Sequence, residues 1–237
     1  MSADRPLRYF VGLTGGSGHA YAERLVIELL RAGCEVDLSI TEAGCKVLRH
    51  ELGVDAGVRG EKLLGALPGW LGDAGLPEGW EGRVRVFTSD AIEAPAASGT
   101  SLTGGVIITP CSMGTLARVT AGFSSNLVER AADVALKEGR RLLLMPRETP
   151  LSEIHLENML RAVRLGGIVL PCMPGFYHLP KSIDDLVAHV VGKALDRLGV
   201  AQNVGARWDG LEEPAGDPGT TPPRGDESEQ PSSGAGQ

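Results

Sequence analysis

Two charged residues follow an apolar run in the second half of the sequence, where a charge is costly unless it meets a partner or a ligand. Arg147 and Glu148, within Pro146-Arg147-Glu148-Thr149-Pro150, come directly after the apolar run 142–145. A charge at the end of a buried strand loses hydration and needs a partner or a ligand. We interpret both residues as active-site groups that could bind an anion and move a proton; a structural ion pair is the alternative.

A glycine-rich turn, Thr14-Gly15-Gly16-Ser17-Gly18, follows the first apolar run and precedes a helical pattern. Glycine lets the backbone approach an anion closely, and the start of a helix favours a phosphate. The spacing is not GxGxxG, and the second apolar run leads to Ser39 and Thr41 where an NAD site would place an acid. We therefore predict that the turn holds a phosphate-bearing cofactor other than NAD; a plain tight turn is the alternative.

A third polar segment, Pro110-Cys111-Ser112-Met113-Gly114-Thr115, places two hydroxyls and backbone N–H groups at the start of a helix. It suits a second polar group of the same cofactor, and simple N-capping by Ser112 is the alternative. Cys111 could be a nucleophile, but no base is evident nearby. We interpret it as a small buried thiol.

The helix predicted at 126–138 carries Arg130, Asp133 and Lys137 on one face, at i, i+3 and i+7. Such a pattern usually means a solvated charged face. Here the rest of the body is sparsely charged, and three alanines on the same helix indicate close packing. These two features favour a functional face.

Alternating strand and helix patterns position these segments. Short apolar runs predict strands, and apolar residues at i, i+4 spacing predict helices. Glycine is frequent in residues 53–82, which we expect to form an irregular excursion with about one helical turn. The predicted strands are 8–13, 36–40, 84–87, 106–108, 142–145 and 168–170, and the predicted helices are 20–31, 43–52, 112–121, 126–138, 152–164 and 183–198.

Uniformly apolar strands that alternate with helices indicate a parallel sheet covered on both faces. The sequence therefore predicts a Rossmann-like three-layer α/β fold, with a central parallel sheet and helices on both faces, in one domain spanning 1–211. The acidic segment 212–237, rich in proline and glycine, cannot bury a core, and we predict that it is disordered. Ligands of such folds bind beyond the carboxyl ends of the strands, where we expect five segments: 15–18, Thr41, 110–115, 146–150 and 171–178.

Composition excludes several classes of protein. The formal net charge is -7, of which residues 212–237 contribute -5 through six acids and one base, so nucleic acid is not expected as the main partner. No segment approaches the roughly 18 apolar residues of a membrane span, and no leader-like pattern opens the chain, so we expect a cytoplasmic protein without membrane contact. The four cysteines are scattered and the five histidines form no HExxH-like pair, so no metal is indicated.

Taken together, these segments resemble the UbiX-type flavin prenyltransferases, which belong to a wider group of flavin-binding proteins that includes cysteine decarboxylases. The resemblance runs from about Phe10 to Trp208. Its most specific parts are Asn126-Leu127 with Glu129-Arg130-Ala131-Ala132-Asp133, then Leu136-Lys137-Glu138, Arg147-Glu148-Thr149-Pro150 and Phe176-Tyr177-His178. Each is weak alone, but their order along the chain makes the resemblance strong.

The resemblance implies a homo-oligomer, typically a dodecamer, with active sites shared between subunits. Tyr177 and Lys193 would contact dimethylallyl phosphate. The catalytic set would be Glu51, Arg130, Lys137, Glu148 and Tyr177. FMN would be held by Gly15, Gly16, Ser17, Thr41, Ser112, Met113, Gly114, Thr115 and Arg147.

The implied chemistry is alkylation of reduced FMN at N5 and ring closure at C6, giving prenylated FMN for a partner decarboxylase. Departure of phosphate needs positive charge and a proton. Arg130, Lys137 and Lys193 could supply the positive charge. Glu148 or Glu51 could supply the proton. No DDxxD sequence occurs, which fits a monophosphate donor. Two positions depart from many relatives: Lys193 replaces an arginine, and Ile92 lies where some carry tryptophan.

Two other functions remain open at this stage. A flavin-dependent cysteine decarboxylase would share the fold and flavin site, but it would carry a Pro-x-Met-Asn segment and a catalytic histidine, whereas the strand ends here read Pro-Cys-Ser and Pro-Arg-Glu-Thr-Pro. A non-catalytic flavin-binding accessory subunit is the other alternative. The presence of the full catalytic set argues for chemistry.

Overall fold

The structure, a computed structural model, describes residues 7–101 and 103–205. Its strands confirm all six predicted ones, and the predicted fold class is confirmed as well. The strands are β1 (Arg8–Leu13), β2 (Glu35–Ile40), β3 (Val84–Phe87), β4 (Gly105–Cys111), β5 (Leu142–Pro146) and β6 (Ile168–Val169). The α-helices are α1 (His19–Arg31), α2 (Glu42–Leu52), α3 (Leu63–Leu71), α4 (Met113–Thr120), α5 (Leu127–Lys137), α6 (Glu153–Arg164) and α7 (Ile183–Leu198).

The strands form one parallel sheet in the order β3-β2-β1-β4-β5-β6. The chain builds outward from β1 in one direction as far as β3, and then in the other direction from β4. Val11 of β1 therefore pairs with Leu38 on one side and with Ile107 on the other. At such a reversal the connections after the two central strands diverge and leave a crevice beyond their carboxyl ends.

Each face of the sheet packs against its own helices, because successive strand residues point to opposite faces. Val11 and Leu13 belong to a core shared with α1, α2, α3 and α7. Phe10 belongs to a second core shared with α4, α5 and α6. Gly12 lets α5 approach the sheet, since a Cβ there would lie 2.6 Å from Cγ1 of Val128.

Hydroxyl and amide side chains cap the helices that begin at the carboxyl edge of the sheet. Thr41 accepts from the backbone N–H of Gly44, and Asn126 accepts from that of Glu129. Such a cap stabilises a helix by about 1 kcal/mol. Helix α1 differs, since its N-cap is Gly18 in a left-handed conformation (φ 110°) with no side-chain cap of its own.

One expectation was wrong. Residues 53–82 contain the nine-residue helix α3, which is longer than the one helical turn that we expected. Its apolar residues Leu63, Leu67, Trp70 and Leu71 are buried at helical spacing, while Gly65 and Gly69 lie on the exposed side. Glycine content hid this pattern, because tertiary packing overrode a weak local propensity. The predicted tail, 212–237, lies outside the described residues.

Candidate active site

Thr14 joins the two strands that flank the reversal of strand order. Its hydroxyl donates to the backbone oxygen of Pro110 at 2.6 Å and accepts from the backbone N–H of Ser112 at 2.8 Å. The glycine turn 15–18 and the segment 110–115 are thereby held side by side, and we call the space above them the β1–β4 crevice. Sequence reasoning missed Thr14; its signal is a hydroxyl directly after a fully apolar strand.

The two glycines at the start of the turn let it lie close to both neighbours. A Cβ on Gly16 would lie 3.4 Å from Cβ of Pro110 and from the backbone nitrogen of Ser112. A Cβ on Gly15 would lie 2.7 Å from Cβ of Ala43, at the start of α2. Side chains here would press against these neighbours, so glycine lets the turn pack closely between α2 and the segment 110–115.

Glu51 caps α1 from a distance. Its carboxylate accepts from the backbone N–H of Gly18 at 3.0 Å and from that of His19 at 2.9 Å. Burial raises the pKa of Glu51, but hydrogen bonds from Ser17 and from these two N–H groups outweigh it, so the pKa lies below its ordinary value. The backbone N–H groups at the start of α1, where we expected a phosphate to bind, thus donate to this anionic side chain instead.

His19 directly follows the glycine turn, and sequence reasoning did not single it out. It is the first residue of α1 and its side chain is fully buried. Burial lowers the pKa of His19, and the nearby Glu51 carboxylate opposes this shift only in part. A neutral imidazole therefore lies behind the crevice at neutral pH. A histidine among the apolar residues at a helix start was the available signal.

Arg147 connects the end of β5 to the glycine turn. Its Nε donates to the backbone oxygen of Ser17 at 3.0 Å. The neighbouring Glu148 accepts from the backbone N–H of Thr149 at 3.0 Å. Within residues 7–101 and 103–205, no ion pair includes Arg147 or Glu148. The structural alternative of an ion pair does not account for these two charges.

N-capping, the structural alternative for Ser112, does occur. The Ser112 hydroxyl accepts from the backbone N–H of Thr115 and lies 3.0 Å from its hydroxyl. The cap also holds both hydroxyls at the carboxyl edge, so it does not compete with a ligand role. The side chain of Met113 packs into the core below.

Cys111 is a buried thiol, as interpreted from the sequence. It is fully buried, and burial raises its pKa to about 12. The thiol is therefore protonated at neutral pH, whereas the thiolate is the nucleophilic form of cysteine.

Tyr177 lies on the connection between β6 and α7 and is about half exposed. Its hydroxyl oxygen lies 2.7 Å from Nε2 of His189 on α7, a residue that sequence reasoning missed. Lys193 follows one helical turn later and borders a groove of about 450 Å³ between β6 and α7. The two residues expected to contact the prenyl donor are thus linked through His189, which bonds to Tyr177 and lies one helical turn before Lys193.

The chain does not bring Lys137 to the β1–β4 crevice. Helix α5 begins beside the loop after β3, where the backbone N–H of Leu127 donates to the oxygen of Ser89. Lys137 is ten residues further on, which is about 15 Å along the axis at 1.5 Å per residue. It lies 3.5 Å from Glu138, while Arg130 pairs with Asp133 at 3.0 Å on the same helix.

The crevice has the polar groups that a flavin mononucleotide needs. The buried hydroxyls of Ser39 and Thr109, near the carboxyl ends of β2 and β4, have no hydrogen-bond partner among the described residues. With the backbone of Gly15 and Gly16 and the Arg147 guanidinium, they fit a ligand that carries hydroxyls and a phosphate. Across the described part of the chain we find no cluster of metal-ligating side chains and no helix able to span a membrane.

Comparison with known proteins identifies relatives of this chain. The family described as Flavoprotein matches residues 2–195. A flavin prenyltransferase UbiX of Halalkalibacterium halodurans is 49% identical over 84% of this chain and 92% of its own length. A crystal structure of AnUbiX with FMN and dimethylallyl pyrophosphate is 34% identical, covering 88% of this chain and all of that one, with a TM-score of 0.74.

A dodecameric FMN-dependent UbiX-like decarboxylase from Escherichia coli O157:H7 is 37% identical over 86% of this chain and all of its own, with a TM-score of 0.72. The fold and the crevice define a flavoprotein, and these similarities refine the class. The chain belongs to the flavoprotein family, in its branch of UbiX-type flavin prenyltransferases. The predictions of the family, of a flavin cofactor and of a prenyltransferase are confirmed.

Proposed function

We propose that this chain transfers a dimethylallyl group from dimethylallyl phosphate to N5 and C6 of reduced FMN, and so forms prenylated FMN for a partner decarboxylase. The observation that carries the proposal is the bond from Arg147 to the oxygen of Ser17. This hydrogen bond holds the Arg147 guanidinium against the glycine turn that suits the cofactor, and Glu148 is the next residue along the chain. FMN, when bound, supplies the nucleophilic N5 and C6 atoms.

The two carboxylates take different parts in the proposal. Glu51 has a lowered pKa, so it is ionised at neutral pH and can accept a proton. Glu148 directly follows Arg147 after β5, and it has no cation paired with it in the described structure. Glu148 is therefore our proton donor to the phosphate oxygen as the bond from that oxygen to the allyl carbon breaks.

Positive charge and an aromatic ring complete the proposed site. Arg130, Lys137 and Lys193 stabilise the departing phosphate. The ring face of Tyr177 shelters the positive charge that develops on the allyl group. We propose that FMN is held by the residues of the crevice edge, namely Gly15, Gly16, Ser17, Thr41, Ser112, Met113, Gly114, Thr115 and Arg147.

We propose further that Arg130 and Lys137 act on the crevice of a neighbouring subunit in a homododecamer. The distance of Lys137 from the crevice of its own chain supports this arrangement. An apolar surface on and after α6 supports it too, since Ile154, Leu156, Leu160, Val163 and Leu165 are each about half exposed or more. Such a patch is typical of a surface that a second copy covers.

A mixing experiment tests the shared site. Glu148→Gln and Lys137→Met should each be nearly inactive when assembled alone. Co-assembled at equal amounts, they should recover roughly a quarter of wild-type activity, because about one site in four then combines an intact crevice with an intact α5. No recovery beyond the sum of the two variants would show that both residues serve the same chain.

The mass of the flavin tests the reaction itself. Given reduced FMN and dimethylallyl phosphate, the enzyme should release a flavin about 68 Da heavier, the mass of one C5H8 unit. Unchanged FMN would instead indicate an accessory flavin-binding subunit. Running the same assay with dimethylallyl diphosphate compares the two possible donors.

The remaining proposals concern the rest of the chain. We propose a cytoplasmic enzyme, since the cysteines within the described residues are free thiols, as is usual in a reducing compartment.

We propose that residues 1–211 form the single working domain. Removing 212–237 should then leave the thermal unfolding temperature and the turnover unchanged, because that segment contains no large apolar residue.

A further inference from the structure

His189 is poised to control the hydroxyl of Tyr177. The imidazole lies in the second turn of α7 and is 9% exposed. Its Nε2 is 2.7 Å from the Tyr177 oxygen. On the other side of the ring, Nδ1 accepts from the backbone N–H of Gly175 at 3.2 Å. The histidine thus joins two points of the connection that carries the tyrosine.

These two contacts determine the tautomer. A backbone N–H can only donate, so Nδ1 carries no hydrogen, and in a neutral ring the hydrogen is on Nε2. Nε2–H therefore donates to the Tyr177 oxygen. The hydroxyl hydrogen of Tyr177 is then directed away from His189, which makes the tyrosine a donor toward other groups.

The surroundings hold this arrangement rigidly. The ring of His178 stacks on His189 with centroids 4.7 Å apart and an angle of 12° between the planes. Tyr177 packs edge-on against His189 at 5.3 Å. Gly175 is needed for this packing, because a Cβ there would lie 2.7 Å from Cε1 of Tyr177 and 3.3 Å from Cε1 of His189.

The electrostatic setting keeps His189 neutral. Burial lowers the pKa of His189, and His178 and Lys193 lower it further. The charged or titratable groups that face it are His178 and Tyr177 on the connection and Lys193 on its own helix, and Asp185 interacts with His178. A protonated ring would place a hydrogen on Nδ1 opposite the Gly175 N–H and break that contact.

We propose that His189 is a positioning residue for the prenyl donor: by donating to Tyr177, it orients the phenol ring and presents the hydroxyl as a hydrogen-bond donor to the phosphate of the donor. The inference rests on the proposed function, in which Tyr177 contacts dimethylallyl phosphate. A hydroxyl with defined polarity binds an oxyanion better than one that rotates, because less order is lost on binding.

The test compares three variants with the wild-type enzyme. His189→Phe keeps an aromatic ring and removes both nitrogens. His189→Gln restores a donor near the position of Nε2, since a glutamine amide can donate there. Tyr177→Phe removes the acceptor. All are first shown to assemble and to bind FMN with wild-type affinity, so that a loss of fold is separated from a loss of function.

We expect His189→Phe to weaken binding of dimethylallyl phosphate to the oxidised, unreactive FMN enzyme about tenfold, measured by calorimetry, as for one hydrogen bond. The same change should raise KM for the donor more than it lowers kcat, and His189→Gln should recover most of the loss. Added to Tyr177→Phe, His189→Phe should cause no further loss, since the two residues act as a unit.

The pH profile is a further readout. Wild-type donor affinity should fall as pH drops through the lowered pKa of His189, and this acid limb should be absent in His189→Gln. Wild-type affinity in His189→Phe, or losses that simply add in the double variant, would overturn the inference. If the wild-type enzyme prenylates FMN and His189→Phe behaves normally, only the role of His189 is refuted. If the wild-type enzyme forms no product, the proposed function is refuted.

Discussion

The two edges of the sheet hold their charges in different ways. Toward the amino edge, the buried carboxylate of Asp37 is paired with Arg8 and with Arg85, each at 2.7 Å. At the carboxyl edge, Glu51 and Arg147 are bonded to backbone groups. Charges neutralised by partners contribute to stability, whereas charges oriented by the backbone keep their electrostatic effect for a ligand. The difference indicates that the Asp37 ion pairs maintain the fold, whereas Glu51 and Arg147 keep their charges available to the proposed site.

The largest expected effect on stability is at Asp37. Asp37→Asn leaves Arg8 and Arg85 without their shared buried carboxylate, which should cost about 3 kcal/mol, the lower range for breaking a buried ion pair. Asp90→Asn is the matched control, because Asp90 pairs with Arg59 at the same 2.7 Å but both side chains are more than half exposed. Its cost should be much smaller, because water screens an exposed pair. Chemical unfolding of both variants compares them, and equal costs would remove the distinction between the edges.

Glu148 should show the opposite behaviour, a large loss of activity with little loss of stability. We expect Glu148→Gln to bind FMN normally and to form prenylated FMN at least ~100-fold more slowly, the lower range for acid–base catalysis. Single-turnover product formation, measured by mass on assembled and FMN-loaded protein, is the assay. Glu81→Gln, an exposed change near the amino edge, is the control. Near-normal turnover in Glu148→Gln would transfer proton donation to a bound water.

The smallest effect, at Glu51, tests whether backbone orientation also contributes stability. Glu51→Gln should lower stability at pH 7 by about 1 kcal/mol, since two charge-assisted hydrogen bonds become neutral ones. The folded-state pKa of Glu51 lies below its ordinary value of 4.5. The stabilisation that ionised Glu51 contributes is therefore present in full above pH 4.5. It is lost as pH falls through the folded-state pKa.

Thermal unfolding of the wild type and of Glu51→Gln from neutral to acidic pH measures that difference. The two curves should converge in acid and separate near neutrality. A gap that stayed constant with pH would mean that packing, and not the charge of Glu51, stabilises the start of α1.

Sequence reasoning reached most of the elements and the segments at the strand ends, because both depend on local patterns. Apolar periodicity indicated β1 to β6, and the connection between Arg147 and the glycine turn follows from the rule that parallel strands end at one edge. It missed α3, whose glycines mask its apolar face. It also missed Thr14, His19 and His189, since a single hydroxyl or imidazole carries no periodic signal.

The sequence by itself determined the fold class, the family and the chemical types present at the carboxyl edge, since these follow from residue order and motif content. Only the tertiary structure decided which groups meet. Glu51 is 32 residues from His19 and yet bonds to its N–H, whereas Lys137, which belongs with Glu51 to the predicted catalytic set, lies beside Glu138 at the end of α5. Long-range contacts depend on strand order and helix direction, and local sequence patterns do not encode either one directly.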